Sequence, residues 1–191
     1  MIFGFSGKMG AGKNYICENI FLPLLKKHNR NVIQMSFADQ IKVNVMVNYN
    51  LSKNDVCNDK NYKIRNLLQK EGTQDGRNRL GDDIWINHLD KWMEIHKSKG
   101  VHTFLITDVR FKNEAEYIKR MGGKIIRVEA PERNKDLIIR QKLDPLTVNH
   151  ISETDLDNYY SFDLILDNDY NISMLKNQEI LNDFFMHRFV F

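Results

Sequence analysis

Apolar residues along this chain come in short blocks separated by longer amphipathic stretches. Ile2-Phe3-Gly4-Phe5 is a continuous apolar run, the mark of a short buried strand, and it leads straight into a glycine-rich segment, Gly7 to Gly12. From Asn14 the apolar residues recur at Ile16, Ile20 and Leu24, with Cys17, Phe21 and Leu25 beside them, which is helical spacing. Pro23 lies inside that pattern and should kink the helix or mark a boundary, because it has no N–H to donate. Val32 to Phe37, Thr103 to Asp108, Lys124 to Glu129 and Phe162 to Leu166 read as further strands. Between Asn44 and Asp90 the pattern is helical in pieces, with no convincing strand. Asn113 is placed to cap a helix from Glu114 to Met121 that stops at Gly122-Gly123, and a last helix should begin near Ile172.

Strands separated by helical stretches predict a parallel sheet with helices on both faces, since each parallel connection needs a crossover. The expected architecture is a three-layer α/β domain interrupted by two inserts, Asp39 to Gly100 and Ala130 to Tyr160. At 191 residues, with no internal repeat and no Pro/Gly/Ser linker, the chain should form one domain.

Composition narrows the function classes. A hydrophobic content of 42% with 28% charged residues is ordinary for a soluble globular protein. The net charge of +3 is spread along the chain; it suits small anions and gives no electrostatic case for a nucleic-acid partner. Cys17 and Cys57 form no CxxC or Cys/His grouping, so neither a disulfide framework nor a zinc site is expected, and a reducing, cytoplasmic setting is. No apolar run approaches the roughly 18 residues of a membrane span, and the apolar start is too short for a signal peptide. The wealth of Asn, Lys and Tyr between Asn44 and Asn66 fits AT-rich coding, as in a virus, a phage or an AT-rich microbe.

The strongest chemical signal is Gly7-Lys8-Met9-Gly10-Ala11-Gly12-Lys13, which fits G-x-x-x-x-G-K between a strand and a helix. Such glycines let the backbone curl so that successive N–H groups point at phosphate oxygens, and the following helix adds its positive end. Gly7, Lys8, Gly10, Ala11, Gly12, Lys13, Asn14 and Tyr15 are therefore the candidate nucleotide-binding residues, with Lys13 reaching the β- and γ-phosphates. One position departs from the pattern: Asn14 stands where a Ser or Thr hydroxyl would bind Mg²⁺. An amide oxygen can still ligate a hard cation directly or through water.

Asp108 ends the apolar run of the third strand and is the second candidate metal ligand, although an Asp there can also cap a turn. No Glu follows Asp108, so the residue that activates water in many ATPases is missing, which favours transfer to an acceptor over hydrolysis. Asn134-Lys135-Asp136-Leu137 misses the N-K-x-D guanine pattern, and Asp108-Val109-Arg110-Phe111 lacks the glycine of D-x-x-G, which argues against a GTPase.

With these residues in place, the chain resembles the deoxynucleoside monophosphate kinases of phages and related viruses. The matching blocks are Gly7 to Lys13, Ser36-Phe37-Ala38-Asp39 with Lys42, Arg65 to Gln69, Gly72-Thr73-Gln74, Gly76-Arg77, and Gly81 to Asn87. Thr107 to Phe111, Asn113 to Glu116, and His150-Ile151-Ser152-Glu153 complete them, so the resemblance spans nearly the whole chain. Phosphomevalonate kinases are more distantly similar, and dephospho-coenzyme A kinases more distantly still.

The resemblance implies a P-loop kinase fold with a five-stranded parallel sheet ordered 2-3-1-4-5, ATP and Mg²⁺, and a nucleoside monophosphate acceptor. It assigns the insert of about 39–100 to the acceptor, with Arg65 and Arg77 as phosphate ligands, or else as solvated helix-face arginines. Asp39, Lys42, Gln69, Thr73 and Trp85 are further acceptor-side candidates; Asp39 could equally cap a helix and Trp85 belong to the core. Arg110 should steady the transferring group, and a lid between Pro131 and Pro145 should bring Arg133 and Arg140 to the site. His150 and Glu153 match the family without a chemical role. Dimerisation, the base accepted and the host compartment (the host cytoplasm for a viral protein) stay open, as do a kinase for another phosphorylated metabolite and a non-catalytic nucleotide-binding module.

Overall fold

Parallel pairing sets the frame on which the rest is hung. The computed structural model describes residues 1–28, 30–57, 62–170, 179–181 and 183–185. Its strands are β1 (Ile2–Ser6), β2 (Val32–Met35), β3 (Thr103–Ile106), β4 (Lys124–Glu129) and β5 (Leu164–Asp167). They form one parallel sheet in the order β2-β3-β1-β4-β5, the order the resemblance implied. β1 is buried along its whole length, as its unbroken apolar run requires of a central strand with helices on both faces. Because β1 and β3 are parallel neighbours, the glycine loop after the first and Asp108 after the second emerge at the same sheet edge. Ligands of open α/β sheets bind at that carboxyl edge.

The helix after the glycine loop, α1, runs over residues 13–27, and Pro23 is accommodated where its middle segment Cys17–Phe21 is wound as a π-helix. There the Leu22 N–H reaches back to the Cys17 carbonyl, five residues earlier, just before the residue that cannot donate. Ile16, Cys17, Phe21 and Leu25 of α1 pack on Phe3, Phe5 and Leu105, with Leu181, Phe184 and Phe185 over them. Phe5 meets Phe21 edge-to-face at 4.8 Å between centroids.

The described part of the first insert is built of helices joined by short turns: α2 (Ala38–Tyr49), α3 (Lys53–Cys57), α4 (residues 62–80, π-helical over Lys70–Arg77) and α5 (Ile84–Ser98). Trp85, Ile86, Leu89 and Met93 of α5 bury the insert against Phe104, Ile106 and Ile118 on the second sheet face. Gly76 is a glycine because a β-carbon there would fall on the Trp85 ring, whose Nε1 donates to the Gly72 carbonyl at 2.7 Å. Next come α6 (Lys112–Arg120), then, after β4, α7 (Pro131–Gln141), α8 (Pro145–Val148) and α9 (Ile151–Thr154).

Four elements depart from their expected boundaries. β2 and β3 stop two residues early, because Ser36 turns the chain into α2 and Thr107 is held by a last bond to the Met35 carbonyl. β5 starts at Leu164, because Asp163 instead accepts the Ile125 N–H and the ammonium groups of Lys119 and Lys124. The cap of α6 is Phe111, whose N–H the Glu114 carboxylate accepts at 3.1 Å; Asn113 lies inside the helix and binds Asp82 and Asp83. The expected start of the last helix near Ile172 lies outside the described residues, while residues 179–181 and 183–185 are helical. Among the described residues no helix is long and apolar enough to cross a membrane.

Candidate active site

Two glycines in left-handed conformations, Gly10 (φ 81°) and Gly12 (φ 86°), bend the loop into α1. Side chains from elsewhere in the fold hold its carbonyls outward: Asn134 Nδ2 donates to Met9 O, and Asn168 Nδ2 to Ala11 O at 2.9 Å. Peptide oxygens held in this way leave neighbouring N–H groups to an anion. Lys13 folds back over the loop, with Nζ on the carbonyls of Gly7 (2.7 Å) and Lys8 (3.0 Å). Burial, with the Arg110 charge adding to it, pulls its pKa from 10.5 down to about 7. Gly10, Gly12, Lys13 and Asn14 face a cavity of about 490 Å³; Gly7 and the buried Ala11 shape the turn behind them. Lys8 is drawn away to the Glu153 carbonyl and Asp157, and Tyr15 is exposed.

Asp108 reaches the same cavity, yet its carboxylate is already well engaged. It accepts Ser36 Oγ at 2.7 Å, the Phe37 N–H at 2.8 Å and the Ala38 N–H at 2.9 Å, and so anchors the start of α2. Arg110 lies beside it. Nη1 of Arg110 is held by Glu153 Oε1 and by the Ser152 carbonyl at 3.2 Å. Glu153 also accepts the Met9 N–H at 2.9 Å. Burial would raise the Glu153 carboxyl, but Arg110 and Lys13 hold it below its usual range.

The insert lines the cavity with Lys42, Arg65, Gln69, Thr73, Arg77 and Trp85. Burial lowers the Lys42 ammonium, and Asp108 and Asp39 overcome this to raise it above its ordinary value. Asp39 itself stays off the cavity, accepting Lys42 at 2.8 Å and the Ser36 N–H at 2.9 Å. Arg65 reaches two elements at the cavity: Nη1 donates to Met9 Sδ of the glycine loop at 3.1 Å and Nη2 to Gln141 Oε1 of α7 at 2.9 Å, while Nε is buried without a partner. Arg77 stands differently. It is 6% exposed, paired with Glu114 at 2.6 Å, and stacked 3.7 Å above the Phe111 ring, so its charge is largely satisfied within the fold. Trp85 is 2% exposed and serves the core as well as the cavity wall. Arg133 and Arg140 lie away from the cavity; Arg133 donates to the Asn168 carbonyl at 3.1 Å and sits over Tyr170, and Arg140 is exposed. His150 faces the cavity with Nδ1 at 2.9 Å from Ser152 Oγ, and burial lowers its pKa.

Five residues with clear work at this site carried no role in the sequence reading: Ser36, Glu114, Asn134, Glu153 and Asn168. Ser36, Glu114 and Glu153 fall in the matching blocks, which flagged their positions only. Asn134 and Asn168 had no signal, since their partners lie 125 and 157 positions away.

The donor set fits Mg²⁺ brought in by phosphates. Among the described residues no group of three or more His, Cys, Asp or Glu could cage a metal. Asn14 offers an amide oxygen at the cavity wall, and Asp108 keeps spare acceptor capacity on Oδ1, which takes the Phe37 N–H. Mg²⁺ typically keeps several waters and takes one or two protein oxygens beside substrate phosphates.

The family described as deoxynucleotide monophosphate kinase matches residues 6–179. A relative from Acanthamoeba polyphaga mimivirus, provisionally named a deoxynucleotide monophosphate kinase, is 27% identical over 199 aligned positions, covering 94% of each chain. Among solved structures, dephospho-CoA kinase from Campylobacter jejuni covers 97% of this chain and 96% of its own, at 14% identity and a TM-score of 0.46. Shikimate kinase from Aquifex aeolicus covers 98% and 95%, at 11% identity and a TM-score of 0.43.

Proposed function

This chain belongs to the deoxynucleotide monophosphate kinase family, and from that premise we propose that it transfers the γ-phosphoryl group of ATP to a deoxynucleoside monophosphate, giving the diphosphate. The observation that carries this reading is one cavity lined by the glycine loop and Lys13, by Arg110, and by Arg65 and Lys42 of the insert. Several cations from the loop and from the insert around one cavity suit a donor and an acceptor that each bring phosphate.

In this mechanism the acceptor needs no general base, because a nucleoside monophosphate is largely a dianion at neutral pH. The chain's task is alignment and charge cancellation. Lys13 leaves the loop carbonyls for the β- and γ-phosphates, and the N–H groups of the loop take the remaining oxygens. Arg65 holds the acceptor phosphate, Arg110 neutralises charge on the moving group, and Gln69, Thr73 and the edge of Trp85 form the wall for sugar and base. Bound Mg²⁺, with Asn14 and Asp108 as its protein oxygens, supplies further neutralisation of the phosphates. The segment 131–145 acts as the lid, since α7 already bridges to Arg65 through Gln141 and touches the loop through Asn134.

The test is ADP release from ATP and Mg²⁺ over the common ribo- and deoxyribonucleoside monophosphates, with free nucleosides as controls. Release with at least one deoxynucleoside monophosphate and none with nucleosides is expected. Release only with an unrelated phosphorylated metabolite would reassign the acceptor.

A further inference from the structure

Glu153 is a buried ionisable group at the cavity that the mechanism above does not use; its side chain is 4% exposed. Its two carboxylate oxygens take two different donors, the Arg110 guanidinium on Oε1 and the Met9 N–H of the glycine loop on Oε2. Its carbonyl takes Lys8 Nζ at 2.7 Å, and the neighbouring Ser152 carbonyl takes the same Arg110 nitrogen. The short helix α9 therefore grips the glycine loop on one side and one edge of Arg110 on the other. Arg110 keeps 31% of its side chain exposed and lines the cavity.

We propose that Glu153 is a positioning residue that fixes Arg110 at the transferring phosphoryl and ties it to the register of the glycine loop. A guanidinium is a rigid planar fork, so holding one nitrogen with a carboxylate aims the remaining donors. An arginine left to itself samples many rotamers, and each turnover would have to reorder it. Glutamine in place of Glu153 has nearly the same shape but one acceptor oxygen. Either Arg110 or Met9 would then face an N–H group, and the coupling would break at one of its two ends. The inference rests on the kinase reading for its catalytic consequence and on geometry alone for the contact.

The experiment is a double-mutant cycle with Glu153→Gln and Arg110→Ala, following kcat and both KM values. Glu153→Gln should lower kcat about ten- to a hundredfold, with KM for ATP and monophosphate changed by less than about threefold. Added to Arg110→Ala, it should cost no more than about a further threefold, because its effect passes through the missing guanidinium. Glu153→Asp, too short to span both donors, should fall between parent and Gln variant. An unchanged kcat in a folded Glu153→Gln protein, or a full additive loss in the Arg110→Ala background, would overturn the proposal. An activity-independent arm uses ¹⁵N–¹H spectra of the arginine side chains. Arg110 Nη signals, identified by their loss in Arg110→Ala, should be resolved in the parent and broadened in Glu153→Gln. If the parent phosphorylates no monophosphate, the kinase reading fails, and this arm still decides the contact: equal Arg110 signals in parent and Gln variant would refute it.

Discussion

Asn168 and Gly12 occupy one space between them: the Asn168 amide that donates to the Ala11 carbonyl lies where a β-carbon on Gly12 would be. The end of β5 thus sets the curl of the glycine loop, and Gly12 is needed both for its φ of 86° and for that approach. Asn168→Ala should keep the fold and raise the KM for ATP by about two- to tenfold, the loss of one hydrogen bond. Gly12→Ala should be worse, and Asn168→Ala added to it should recover only the clash, since the backbone strain remains. Kinetics on the three variants check this; a Gly12→Ala enzyme with parental ATP affinity would remove the loop geometry from the account.

Lys13 gives a pH signature. Its folded pKa of about 7 lies below the ordinary 10.5, so across that window the unfolded chain holds a proton that the ligand-free fold has released. The contribution of this group to ligand-free stability therefore rises with pH over the window. A polyphosphate beside Lys13 favours the ammonium form, so ATP binding should take up close to one proton at about pH 8, and affinity should weaken as pH rises above about 7. Calorimetry in buffers of different ionisation enthalpy measures the uptake. It should vanish in Lys13→Ala, whose turnover should fall at least about a thousandfold; buffer-independent heats in the parent would contradict the assignment.

The two insert arginines should separate. Arg65, which lines the cavity and donates to the neutral side chains of Gln141 and Met9, should when changed to Ala raise the monophosphate KM about ten- to a hundredfold and leave ATP affinity nearly unchanged. Arg77→Ala removes one partner of a buried pair and should cost about 3–5 kcal/mol of stability, by stranding Glu114. Denaturant unfolding with parallel kinetics distinguishes the two. A stable Arg77→Ala protein with only a raised acceptor KM would make Arg77 a ligand in the same sense as Arg65.

Asn14 tests how the metal is carried. If its amide oxygen helps hold Mg²⁺, Asn14→Thr should keep activity and Asn14→Leu should raise the Mg²⁺ concentration needed for half-maximal turnover. An identical Mg²⁺ dependence in the leucine variant would leave Asp108 and the phosphates to hold the cation.

What could be read from the sequence was whatever short-range pattern encodes. The run Ile2 to Phe5, the glycines after it and Lys124 to Glu129 each specify their conformation locally, so the strands and the loop were legible. The sheet order came from resemblance, because no residue in β1 names β3 and β4 as its neighbours. Asp108 lies two residues past the end of β3, and its three donors come from residues 36–38, some seventy positions earlier, with no pattern to link them. Arg77 fell in a polar helical stretch and read as exposed or ligand-binding; its burial depends on Glu114 and Phe111, which only the packed fold brings beneath it. Glu153 is likewise invisible without the fold, since a carboxylate's role follows from the donors it meets.

The central claim is that one cavity aligns two phosphates for direct transfer, and following the label tests it most directly. With ATP labelled at the γ-phosphorus, Mg²⁺ and the best deoxynucleoside monophosphate, the label should appear at the β-position of the deoxynucleoside diphosphate. Lys13→Ala should abolish the transfer, and inorganic phosphate should stay at background. Label released only as inorganic phosphate, or no labelled diphosphate with any base, would contradict the account.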